Sequence, residues 1–454
     1  MGAKRTRVSD PGVNIGLGLA AGKETKTSRA IAGTEFGADV LDALERAAHQ
    51  LPGRDPGSHL FFERRFERRL ELGPDGITSA IAARVQGLAA EAAPGTSVFR
   101  SVPHLEALED LATAAARGIV GDPVAPRAEA EGLVPEAPQA ALEALRRRAG
   151  AEARLQYVEV DQQVAVARRD GRVGQDRRRG RRLRLAVVDA VVERVFSGGA
   201  LDLEGMAEQV VARAAARARP LPPSPGRTIA VFAPGAGGVL FHELIGHALE
   251  GDVQTRSVSK LTRAGGPVAP AGVTVVDDPR RGRVSWRMDD EGTAARPVAL
   301  LQEGRPSGLL ASWRWPGPPH LSSGHGRRAS FAEPALPRMG ATFLSPGRLH
   351  PEEVLQGVAR GLYVRRMAAA ATDPAEGTAV FHVTDADMLI SGRIEVALEP
   401  FLLHIAVEDL VTLDRIADDL AFDACVGVCV RDGQALASTV GAPTFRLGLV
   451  TVKG

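Results

Sequence analysis

The feature that most constrains this chain is the stretch at 235–252, GAGGVLFHELIGHALEGD, which carries His242, Glu243 and His247. Neutral imidazoles hold a borderline-soft cation, and a carboxylate beside it can take a proton from water. The grouping therefore has the composition of a hydrolytic zinc centre. Its spacing is unusual. In H-E-x-x-H the histidines are four apart, about 40° around a helix, whereas in H-E-x-x-x-H they are five apart, about 140° around. Two side chains so displaced cannot grip one ion from a regular helix. The spacing predicts either a one-residue π-bulge between them or a break near Gly246.

Residues 228–233 read as a short apolar strand, and Pro234, Gly235, Gly237 and Gly238 turn it into the histidine helix. Strand, glycine turn and helix invite a dinucleotide reading, but G-x-G-x-x-G would need glycine where Leu240 stands, and no G-x-x-x-x-G-K-[ST] occurs. The glycines are instead expected to let the backbone pass close to another segment. A catalytic zinc normally takes three protein ligands, so the pair needs a third. Candidates are Glu250, Asp252, His325 in its glycine-rich loop, and either Cys425 or Cys429. Thiolate is the strongest zinc donor among them. Asp289, Asp290 and Glu291 form a carboxylate cluster that either supports the metal ligands from behind or makes a solvated turn.

With 454 residues the chain is too long for one core and divides into domains. The proline-rich segment RPLPPSPG ends a helical stretch and supplies the boundary. The expected layout is a flexible arm at 1–35, an N-terminal α+β domain at 36–219, a Pro-rich linker at 220–227 and a C-terminal metallopeptidase domain at 228–454. Long helices alternating irregularly with hairpins make the fold class α+β, an N-terminal mixed α/β domain followed by a C-terminal β-rich domain carrying the metal-site helix. Helices are expected at 38–50, 352–363 and 408–420, and strands at 59–72, from 77, at 157–166 and at 182–188. Asp170-Gly171 signals a hairpin whose arginine-rich segment, 177–182, reads as a solvated tip. A formal net charge of +1 and 4% aromatic residues leave no footprint for nucleic acid. Two cysteines point to a reducing cytoplasm, and no apolar run approaches the ~18 residues of a membrane span.

Beyond FHELIGHALEGD, the chain carries TVVDD at 274–278, DDEGT at 289–293, GHGRRASF at 324–331, LPRM at 336–339 and VGVCVRDGQALASTVGAPTF at 426–445. In order and spacing these blocks closely resemble the TldD/PmbA family of metallopeptidases. The N-terminal half is similar only in rhythm, through FFERR and LEALEDLATAAA. The resemblance implies that His242 and His247 bind Zn2+, that Glu243 is the general base and that Cys429 is the third ligand, which leaves Cys425 structural. It also implies a cytoplasmic zinc-dependent peptidase of the catalytic TldD type, hydrolysing unfolded or short peptides inside a closed cavity, with peptide processing or maturation as the expected role. The partner would be a second copy, or a sister subunit lacking the metal motif. A non-catalytic, metal-stabilised binding subunit is the alternative. Ala248 and Val430 stand where the family often has glycine, and 368–377 holds a single glycine.

Overall fold

The computed structural model describes residues 36–55, 57–93, 96–101, 108–117, 129–130, 139–196, 203–256, 259–263, 265–282, 285–317, 322–422 and 427–453. The expected arm at 1–35 and Cys425 lie outside the described residues.

The N-terminal half is built on a seven-stranded antiparallel sheet whose centre is the strand His59–Gly73, flanked by Gly76–Ala93 and Arg154–Arg168. Period-two alternation sorts its side chains. Leu60 and Phe62 point to one face, where helices Ala38–Ala48 and Leu108–Ala116 cover them, and Leu70 and Leu72 meet helices Gln139–Ala149 and Leu203–Ala216. Phe61 points the other way, into a small core with Val85, Val164 and the C-terminal half's Phe331. The sheet is thus sandwiched between its own helices and the second half of the chain.

The hairpin turns at Asp170-Gly171, where Gly171 takes φ +83°, but its return strand starts earlier than expected and spans Val173–Val187. The arginine-rich segment is therefore mid-strand and not a solvated tip. Alternation turns Arg178 inward to Asp290 at 2.6 Å, while Arg177 and Arg179 reach Asp161 at 2.9 and 3.1 Å and Arg181 reaches Glu159 at 3.0 Å. Acids on the neighbouring strand neutralise these cations.

The C-terminal half has two further seven-stranded sheets. One runs through Val298–Gln302, Val275–Asp277, Ala341–Leu344 and Gln434–Ala442, with Gly427–Arg431 paired to the last. The other runs Arg360–Asp373, Gly226–Phe232, Phe445–Lys453, Phe401–Ala406, Thr378–Ile390, and an extra pairing between Arg360–Asp373 and Thr378–Ile390 closes it on itself. The histidine helix packs on this closed sheet through Leu240, Phe241, Leu244 and Ile245. Phe445 stacks on Phe232 at 4.7 Å and leans on Phe241, joining helix to sheet.

Two expected helices are shorter than the spacing suggested. The first spans only Pro351–Leu355, because Gly357 at φ +77° turns the chain into the strand Arg360–Asp373. The second is a 3₁₀ turn, Val407–Thr412, followed by the strand Leu413–Ile416, which pairs with Phe445–Lys453. β-Branched Val407, Val411 and Thr412 favour that outcome over a long helix. Among the described residues, no helix is long and apolar enough to cross a membrane.

Candidate metal centre

The strand Gly226–Phe232 leads through a turn, with Gly235 at φ +84°, into one α-helical turn, Gly238–Phe241. A side chain at position 238 is impossible, since its Cβ would lie 2.5 Å from the backbone nitrogen of Gly441. The helix then widens into a π-turn, His242–Gly246, and tightens into a 3₁₀ turn, His247–Leu249. The N–H of His247 donates to the carbonyl of His242, a bond spanning five residues. That single wide turn cancels the angular offset of the five-residue spacing. The rings consequently face each other edge to face, centroids 4.9 Å apart. Gly246 gives the bulge its room, for a Cβ there would sit 1.9 Å from Met339 Sδ.

Cys429 reaches this pair from the strand Gly427–Arg431, its Sγ 3.4 Å from His247 Nε2. Donor atoms of His242, His247 and Cys429 all lie within 4.8 Å of one another. Tetrahedral zinc sets its nitrogen and sulfur ligands roughly 3.3–3.7 Å apart, so the set needs little closure to share one ion. His242 Nδ1 is buried without a hydrogen-bond partner. Burial, with His247 and Arg338 nearby, pushes the His242 pKa well below its usual value and keeps the ring neutral. A neutral imidazole with an orphaned nitrogen beside a thiol and a second imidazole fits a zinc ion.

His247 is held from behind. Its Nδ1–H donates to Glu250 Oε2 at 2.9 Å, which leaves Nε2 toward Cys429. Burial lowers the His247 pKa, but Glu250 and Cys429 outweigh it, so without metal the ring is held well above its usual value. Glu250 is fully buried; burial raises its pKa, while His247 and Arg431 prevail and keep it ionised. Glu250 is thus a carboxylate behind the histidine. Asp252 is engaged by Arg431 at 2.6 Å, and His325 is tied to Asp277 at 3.1 Å and Ser323 Oγ at 2.8 Å. Neither joins the donor group. Glu243 Oε2 lies 3.8 Å from His247 Nε2 and accepts a hydrogen bond from Thr372 Oγ1 at 2.7 Å.

Asp289, Asp290 and Glu291 are fully buried, so the solvated-turn reading is corrected. Their hydrogen bonds run to other groups than the metal-centre residues. Asp289 accepts from the amides of Glu291, Thr293 and Gly326; Asp290 from Arg178, Arg327 and the amide of Arg328; Glu291 from the amides of Trp313 and Arg314. Through Arg178 the cluster ties the N-terminal sheet to the C-terminal half. Burial raises Asp289 to about 6 and Glu291 well above the carboxylate range, while Arg178 and Arg327 overcome burial and hold Asp290 at about 2.

Three residues that sequence reasoning missed complete the site: Thr372, Arg431 and Arg338, the last donating to the carbonyls of Cys429 and Gln434. Arg338 and Arg431 had a signal, as parts of the blocks LPRM and VGVCVRDGQ, whereas Thr372 had none.

The profile of the PmbA/TldA metallopeptidase C-terminal domain matches residues 225–454. A TldD homologue of Haemophilus influenzae, named a metalloprotease, is 31% identical over 231 residues, 48% of this chain and 47% of that protein. A metalloprotease of Methanothermobacter thermautotrophicus is 28% identical over 256 residues, 56% of either chain. The aligned region spans about half the length of the curated relatives it matches. In three dimensions the chain is similar to TldE of Thermococcus kodakarensis, with a TM-score of 0.70 at 15% identity, covering 91% of this chain and 100% of that one, which establishes the shared mixed α/β fold.

Proposed function

The chain belongs to the PmbA/TldD family of metallopeptidases, and from that premise we propose that it is a zinc-dependent peptidase of the H-E-x-x-x-H kind acting on unfolded or short peptides. The observation that carries this reading is the convergence of His242, His247 and Cys429 within 4.8 Å, beside the carboxylate of Glu243. His242, His247 and Cys429 would hold the ion, leaving a fourth position for water or substrate. When bound, zinc supplies Lewis acidity at the scissile carbonyl and lowers the pKa of water at the site.

The protein's own groups do the rest. Glu243 takes the proton of the attacking water and returns it to the leaving amine. Thr372, through its 2.7 Å hydrogen bond, fixes one oxygen of that carboxylate and orients the other. Glu250 keeps the proton of His247 on Nδ1, so that Nε2 is a donor. A thiolate donor makes the centre less acidic than one of histidines and a carboxylate, which suits slow, processing-type turnover. A cytoplasmic dimer, with a second copy or a sister subunit lacking the motif, belongs to the same proposal.

Digestion of a mixture of unstructured peptides tests it. Wild-type protein is expected to cleave, to stop on chelation and to recover with zinc. Glu243→Gln is expected to lower turnover about 10²–10⁴-fold while retaining the metal. Undiminished cleavage by that variant overturns the general-base role.

A further inference from the structure

Arg431 stands two residues beyond Cys429 on the strand Gly427–Arg431, so alternation places both side chains on the same face. Its guanidinium meets two fully buried carboxylates that follow the histidine helix. Nη1 donates to Glu250 Oε2, and Nη2 donates to Asp252 Oδ2 at 2.6 Å, with Nη1 also 3.3 Å from Asp252 Oδ1. Glu250 Oε2 is the same oxygen that receives the Nδ1–H of His247. One atom is therefore shared between the metal-facing histidine and the strand that brings the thiol. Neighbouring contacts hold the same strand: Arg338 donates to the carbonyl of Cys429, and Arg256 pairs with Asp432 at 2.9 Å.

These contacts run in parallel with the ligands. Cys429 and Arg431 come from one strand; His247, Glu250 and Asp252 come from one short stretch, a 3₁₀ turn, an extended residue and the start of the next helix, roughly 180 residues earlier in the chain. Each segment offers a ligand and, beside it, a charge that meets its opposite on the other. A buried carboxylate without a countercharge is costly, and Arg431 brings one guanidinium to both Glu250 and Asp252 from the strand that carries the thiol. The planar fork of arginine can hold two carboxylates at once, which a point charge cannot.

We propose that Arg431 is a positioning residue of the metal centre: by bridging Glu250 and Asp252 it docks the strand bearing Cys429 and locks His247 with Nε2 as its donor. The inference rests on the zinc-site reading above and deepens it. Because Arg431 acts through Glu250 and through the strand, its removal acts on metal affinity and on thiolate coordination, whatever the substrate.

The test measures zinc affinity of the full chain by competition with a chromophoric chelator, and records the thiolate-to-metal charge-transfer band after cobalt substitution, in wild type, Arg431→Met and Arg431→Lys. Melting of each metal-free protein controls for folding. Arg431→Met is expected to fold, to bind zinc about 10–100-fold more weakly and to lose intensity in the cobalt band. Arg431→Lys, which restores the charge without the fork, is expected to recover part of both. Wild-type affinity with an intact band in Arg431→Met overturns the proposal. Should that variant fail to fold, Arg431→Lys decides: several-fold weaker zinc supports the bridge, and unchanged zinc overturns it. A wild-type protein that binds no zinc overturns the metal-site reading itself, and this inference with it.

Discussion

The metal centre and the carboxylate cluster around Asp290 are made of the same kinds of side chain, both deeply buried, and they treat those side chains in opposite ways. Every side-chain oxygen of Asp289, Asp290 and Glu291 accepts a hydrogen bond, and Asp290 alone serves Arg178, Arg327 and a backbone amide. His325 is equally occupied, bound to Asp277 on one nitrogen and Ser323 on the other. At the metal centre His242 Nδ1 has no partner, nor has Glu250 Oε1, and His247 Nε2 and Cys429 Sγ face each other at 3.4 Å. A polar network that uses all its lone pairs fastens two halves of a molecule. One that leaves donors free, in a place where burial makes that expensive, is prepared for a ligand.

If the cluster is a fastening, breaking it should cost stability and leave the metal alone. Asp290→Asn removes the carboxylate that the buried Arg178 and Arg327 share and is expected to destabilise the protein by about 3–5 kcal/mol in urea unfolding, with zinc stoichiometry of the folded fraction unchanged. A loss below about 1 kcal/mol would break the comparison.

The two regions should also answer pH in opposite directions. The pKa of Asp289 is raised by burial to about 6, with Glu291 and Asp290 beside it, so its protonated form is favoured in the folded state. That contribution is present in full below the unfolded carboxylate range and disappears as pH rises through about 6, a fall on the order of 2–3 kcal/mol. Zinc binding requires deprotonated ligands and therefore strengthens as pH rises. Urea midpoints of a metal-free His247→Gln variant, in which that histidine does not titrate, are expected to fall between pH 5 and pH 7. A rise across that window contradicts the assignment of Asp289.

The smallest effect belongs to Thr372. Thr372→Val removes the hydroxyl that donates to Glu243 and is expected to lower peptide turnover about tenfold, equivalent to one hydrogen bond to a charged group, without loss of zinc. Unchanged kcat would remove Thr372 from the site.

How much of this could be read in the residues differs by element. The strand at His59–Gly73 was legible because alternation is a local signal, and the wide turn between His242 and His247 was legible because five residues do not fit a regular helix. The expected helix at 408–420 was not, because Leu413–Ile416 gains a partner strand from the end of the chain, which no local window contains. The arginine-rich segment misled for a related reason: its acids sit across the hairpin on Arg154–Arg168. In the metal centre the two histidines declared themselves and a thiolate was a candidate on donor chemistry, while the choice of Cys429 over Cys425 came only through the resemblance of distant blocks. Thr372 carried no signal and Arg431 only its place in a quoted block, since their roles depend on contacts made 129 and 181 residues away. Asp289, Asp290 and Glu291 were visible as a cluster, but whether they back the metal ligands, make a solvated turn or fasten the two halves is decided by which groups fill their lone pairs.

The central claim is that the histidine helix and the end of the chain share one ion. Zinc analysis of the purified protein, wild type beside Cys429→Ala, tests it most directly. The account predicts about one zinc per chain in the wild type and its loss in the variant while the fold persists; full zinc occupancy in Cys429→Ala would contradict it.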